Sequence, residues 1–246
     1  MHLIDILLLI GSPILSGLAY FIFKRKNDAR LKLLLSFSGS YLFAISVLHL
    51  IPEIYQGSSE KIGLFILIGF FIQIILEYFS DGIEHGHVHV HHHHDHHSHK
   101  FPLFMMISLS LHSFLEGMPL TCNESTNFHL TVGSFLLGIF IHNLPISYAL
   151  VSMLDLSGIK KQTSILMLLI FSAMAPLGAW VNYLLSSGNL FPDVQLYSKQ
   201  IMAIVVGIFL HISTTILFES SENHRFNMQK LAVILAGALA AIALEL

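Results

Sequence analysis

The chain alternates long apolar runs with short polar breaks. The runs occupy approximately residues 3–23, 31–56, 62–80, 102–121, 131–154, 163–186, 200–218 and 229–246. Each is near the length of about 20 residues that an α-helix needs to cross a hydrocarbon core of ~30 Å. A helix also satisfies its own backbone hydrogen bonds, which lipid cannot do for it. The pattern therefore predicts an all-α, polytopic membrane protein of eight transmembrane helices. No break is long enough to form a soluble domain, so residues 1–246 read as a single membrane domain. The first run starts at Leu3 with no basic segment before it and leads into Lys24-Arg25-Lys26. That flank is unlike a cleavage site, so the run is expected to remain as the first membrane helix. The second run carries Pro52 near its end and is expected to kink or protrude there.

Composition agrees with the pattern. Hydrophobic residues make up 54% of the chain and charged residues 11%, against about 25% charged in soluble domains. A net charge of -3 gives no basis for nucleic-acid binding. The single cysteine, Cys122, excludes an intrachain disulfide and any CxxC site. It reads as an ordinary small residue beside a loop.

The basic residues set an orientation. With the N-terminus outside, Lys24, Arg25, Lys26, Arg30, Lys32, Lys100, Lys160, Lys161, Arg225 and Lys230 fall inside, and only Lys61 and Lys199 outside. This excess on one side predicts both termini outside a cell (inner or plasma) membrane. The break after the third run, residues 85–100, then faces the cytoplasm. It holds His85, His87, His89, His91, His92, His93, His94, His96, His97 and His99. Such a tract has no apolar core to fold around and reads as an auxiliary metal-binding loop. An affinity tag is the plainer alternative. Its place between two membrane helices and its interruptions at Val88, Val90, Asp95 and Ser98 favour a native segment.

Ionisable groups inside membrane helices are costly, and the few here are functional candidates. In the fourth run, His112 and Glu116 are four residues apart and share a helix face near mid-span. They can share a cation, or form a hydrogen bond that only holds helices together. In the fifth run, His142-Asn143 precedes Pro145, which cannot donate to the carbonyl of Ile141. A broken helix with a freed carbonyl is a feature that transporters use to bind ions. A kinked helix with a polar interhelical bond is the alternative. In the second run, His49 and Glu53 repeat the four-residue spacing towards the outer end, as an added ligand set, an entry site or an interfacial anchor. Pro52 frees the Leu48 carbonyl and Pro176 that of Ser172. In the seventh run, His211 either lines a pathway or, the better reading, bonds to a neighbouring helix. Glu77, Asp81, Glu84, Glu219 and Glu222 lie towards the cytoplasmic ends, where they draw a cation out or are simply solvated.

Together these residues resemble the ZIP (Zrt/Irt-like protein) family of metal-ion transporters, over nearly the whole chain. The most specific signals are His112-Ser113-x-x-Glu116-Gly117 and His142-Asn143-x-Pro145. Weaker supports are Leu48-His49-Leu50-Ile51-Pro52-Glu53, Ala175-Pro176-Leu177-Gly178 and Gly207-Ile208-Phe209-Leu210-His211. The resemblance implies metal uptake into the cytoplasm, ligands from helices four and five, and two inverted three-helix units around those helices. It also implies alternating access. The chain departs from the two-metal pattern of many members: Ser113 stands where many have Asn, Asn143 where many have Asp or Glu, and Ala175 where many have Glu. One transport metal per chain is expected, held by His112, Glu116 and His142, with Asn143 beside them and His49 as a candidate fourth ligand. Glu53, Ser113 and His211 are candidate pathway residues.

Two histidines and one carboxylate suit Zn²⁺, and also Fe²⁺, Mn²⁺ or Cd²⁺. The expected partners are metal ions and the lipid bilayer, with a homodimer left open and no catalytic cofactor. Three rivals remain. A cation-diffusion-type exporter predicts six helices and a soluble C-terminal domain. An intramembrane zinc hydrolase would use the same triad to activate water, but no HExxH motif supports it. A passive sensor would work through the histidine tract.

Overall fold

The computed structural model describes residues 3–23, 28–56, 61–80, 102–121, 128–186, 198–218 and 228–244. The histidine tract lies outside the described residues. Eight helical spans follow the eight apolar runs: α1 (Leu3–Phe23), α2 (Asp28–Ile45, continued by Ser46–Leu50 and Ile51–Tyr55), α3 (Ile62–Ser80), α4 (Leu103–Gly117, extended by Met118–Thr121), α5 (Phe128–Leu156), α6 (Lys161–Ser186), α7 (Ser198–Phe218) and α8 (Met228–Ala243). Seven are long and apolar enough to cross a membrane, and α8 is a shorter apolar helix. The protein is an all-α, multi-pass membrane protein.

The prolines act locally. In α2 the chain changes its winding just before Pro52. It widens into a π-helical turn over Ser46–Leu50, with the Ile51 N–H donating to the Ser46 carbonyl five residues back. The wider turn makes room for the proline ring against the preceding turn. His49 therefore sits inside the widened turn. Pro145 was expected to break α5, but that helix runs unbroken through 29 residues with the proline inside it. One missing hydrogen bond is too small a loss to stop a helix packed on α1 and α2.

The helices pack in an order that positions the centre of the bundle. The most extensive contacts are α3 on α7, α1 on α5, α2 on α8 and α4 on α6. Exchanging α1, α2, α3 and α4 with α6, α7, α8 and α5 turns the first of these pairs into the third and the second into the fourth. Two inverted three-helix units around α4 and α5 would pack in this way. Small residues let the backbones touch. A Cβ at Gly117 would lie 1.9 Å from the Ala175 carbonyl oxygen, and one at Gly178 would lie 1.9 Å from that of Phe114. The α3–α7 pair uses the same device, with Gly69 against Ile204 and Gly207 against Ile66. Side-chain hydroxyls add crossings: Tyr41 donates to the Ser134 carbonyl at 3.0 Å, and Ser108 donates to that of Leu76.

Candidate metal centre

The site is built where α4 and α5 meet, under α2 and α3. On α4, His112 and Glu116 project from successive turns of one face, with Nε2 of His112 3.0 Å from Oε1 of Glu116. From α5, His142 brings its Nε2 to 3.8 Å from the same oxygen. The two imidazoles approach edge to face, with centroids 6.0 Å apart. All three side chains are fully buried. One ligand atom from each lies within 4.8 Å of the others, and no other cluster of three or more His, Cys, Asp or Glu in a metal-binding arrangement occurs among the described residues.

The other face of each imidazole is held from a neighbouring helix. Nδ1 of His112 lies 3.1 Å from Oε1 of Gln73 on α3. An amide oxygen can only accept, so with Gln73 in this orientation Nδ1 carries a proton, and in the neutral ring the Nε2 lone pair faces Glu116. Nδ1 of His142 lies 3.4 Å from the Ser38 hydroxyl on α2. That hydroxyl donates its single proton to the Leu35 carbonyl at 3.1 Å, so it accepts from Nδ1–H. The Nε2 of His142 is then also a lone pair aimed into the site. Two ring nitrogens and a carboxylate thus converge on one small buried volume, an arrangement that a cation among them would satisfy. A partner fixing the distal ring nitrogen is the usual support of a metal-binding histidine.

The sequence pattern brought His112, Glu116 and His142 forward, and these three converge. Asn143 is fully buried beside them, and its amide nitrogen and oxygen have no hydrogen-bond partner among the described residues. Ser113 is buried on the next position of α4. His49 and Glu53 are only partly buried and do not join the cluster. His211 lies elsewhere, with Nε2 3.5 Å from Oε2 of Glu77 on α3 and its ring against Phe70 at 4.8 Å. Asp81, Glu84, Glu219, Glu222 and the ten tract histidines lie outside the described residues. Gln73 and Ser38 went unnoticed in the sequence. Gln73 left a trace, as an uncharged polar side chain midway along an otherwise apolar run. Ser38 left none, being one of several serines in α2.

A family model described as ZIP zinc transporter matches residues 83–245. The chain belongs to the ZIP zinc transporter family. No curated protein matches it. The ZIP match takes in α4 to α8, hence His112, Glu116, His142, Asn143 and His211. The helices that carry Gln73 and Ser38 precede it and reach the site through packing. Membership makes this chain a divalent-metal transporter, and among the described residues the buried His/Glu cluster is a group that could hold a metal ion.

Proposed function

We propose that the chain carries Zn²⁺ into the cytoplasm, one ion at a time, through a site made by His112, Glu116 and His142. The observation that carries this reading is the convergence of two imidazoles, each held through its other ring nitrogen, on the one fully buried carboxylate among the described residues. Two neutral nitrogens and one anionic oxygen are the ligand set that Zn²⁺ favours, though Fe²⁺, Mn²⁺ and Cd²⁺ also accept it. The set supplies one negative charge against two positive ones. Binding is therefore incomplete in charge, which favours release after a conformational step. Asn143, fully buried next to His142 in sequence, is an uncharged group suited to complete the coordination. Ser113 and Ala175 offer no charge for a second ion at this point.

The inward direction rests on the excess of Lys and Arg on the side that holds residues 85–100. The family is one of transporters, which supports transport over the hydrolase reading. The deciding experiment is radiometal uptake into proteoliposomes with Zn²⁺, Cd²⁺, Fe²⁺ and Mn²⁺. Saturable Zn²⁺ entry that Glu116→Gln removes is the expected result. A well-folded protein that moves none of the four ions refutes the proposal.

A further inference from the structure

We infer that Glu77 and His211 form a second, weaker divalent-metal station on the route between the buried triad and the end of α3. The inference rests on the transport reading above and extends it by one step.

The placement carries the argument. Gln73 and Glu77 are four residues apart on α3, hence one turn, about 5.4 Å, apart on one face. Gln73 touches His112 of the triad, and Glu77 faces His211 on α7 at 3.5 Å. One strip of α3 therefore links the buried site to a second imidazole–carboxylate pair one turn nearer Ser80, where α3 ends. The strip has polar support on its other flank, since Ser108, one turn before His112 on α4, donates to the Leu76 carbonyl. Burial changes along it as a pathway requires. The triad is fully buried, whereas the side chains of His211 and Glu77 are 10% and 26% exposed.

The plainer role for Glu77 and His211 would be to clamp α3 to α7. Those helices have another contact close by. Gly69 and Gly207 already bring their backbones into contact, and His211 follows Gly207 by one turn. A carboxylate kept within a membrane helix faces the protein interior or a water-filled path and serves a charge. Here it gives a departing cation a second −1 partner after Glu116. Each station offsets half of M²⁺, so neither traps the ion, and the step between them avoids a bare charge in a low dielectric. An imidazole and a carboxylate, with water completing the shell, suit the same borderline cations as the triad.

The test uses full-length protein with the ten tract histidines changed to serine, and Cd²⁺ as the probe. In a His112→Ala/Glu116→Gln background, calorimetry should still detect one Cd²⁺ site per chain, weaker than that of the intact triad. Adding Glu77→Gln or His211→Ala should abolish it. Separately, each of these two substitutions in the otherwise native chain should lower the maximal rate of Cd²⁺ uptake several-fold with KM nearly unchanged, because loading precedes the station. A triad-less chain that binds no Cd²⁺, or one whose binding ignores Glu77→Gln, overturns the station. So do unaltered uptake kinetics in both single variants. These results leave the transport reading intact, which fails only if the parent chain moves no metal or the Glu116→Gln chain moves it normally.

Discussion

Among the described residues Glu116 is the one fully buried carboxylate, and no lysine or arginine is buried with it. An ionised carboxylate in such a place costs several kcal/mol unless a positive partner accompanies it. With Nδ1 of each ring held by Gln73 or Ser38, an imidazole becomes that partner only by taking a second proton at Nε2, the nitrogen that a metal ion would use. A divalent cargo supplies that positive charge directly. Glu116→Gln should raise the melting temperature of metal-free protein, abolish the further rise caused by Zn²⁺, and reduce uptake to background. A variant that is no more stable than the parent, yet still gains stability from Zn²⁺, contradicts this account. The supporting residues make a graded prediction. Gln73→Leu frees Nδ1 of His112 to lose its proton and swing, and should weaken Zn²⁺ binding about 10-fold or more, the usual cost of losing a support behind a metal ligand. Competition titration of purified protein measures it, and unchanged affinity would show that Gln73 does not set the tautomer.

At the scale of the element, α4 is held against α6 by backbone contact. Gly178→Val would drive a side chain into the Phe114 carbonyl, two residues from Glu116. Forcing the helices apart should cost about 1–3 kcal/mol and displace Glu116 from its histidines, so uptake should fall more steeply than expression. Equal losses of both would mean that the contact serves folding alone. The helices themselves were legible because each apolar run approaches the thickness of a bilayer. So were His112, Glu116 and His142, because charge and imidazole stand out against lipid-compatible sequence. What the pattern could not show is which helix faces which. Ser38 and Gln73 gain their meaning from α2 and α3 lying over α5 and α4, and Glu77 gains its own from α7. Interhelical contacts join residues 39 and 104 positions apart, and no local periodicity encodes such pairings. Pro145 misled for a related reason. Its freed carbonyl is a local fact, whereas the continuity of α5 depends on its neighbours.

For the whole molecule, direction and traffic both depend on the side that residues 85–99 face. In a Cys122→Ser background, Ser59→Cys should react with an impermeant thiol reagent added outside intact cells and Ser98→Cys should not. The reverse pattern would invert the transport direction drawn from the ten-to-two count of Lys and Arg. The tract itself is separate in sequence from the triad, whose ligand atoms converge among the described residues. Ten imidazoles in fifteen residues can hold Zn²⁺ in many equivalent ways, so affinity should be modest and exchange fast. The ligand is neutral imidazole. With an unperturbed pKa of about 6.5, protonation should release the metal steeply below that pH. The tract is then suited to capture or sense metal after passage, not to move it. Replacing its ten histidines with serine should keep substantial uptake in proteoliposomes and leave about one tightly held metal per chain, with the weaker station filled only at higher concentration. In cells the same variant should alter metal retention or feedback. Elemental analysis and uptake assays together decide it. If the serine variant loses uptake as completely as Glu116→Gln, the tract belongs to the transport path, and the separation between carrying the ion and receiving it is wrong.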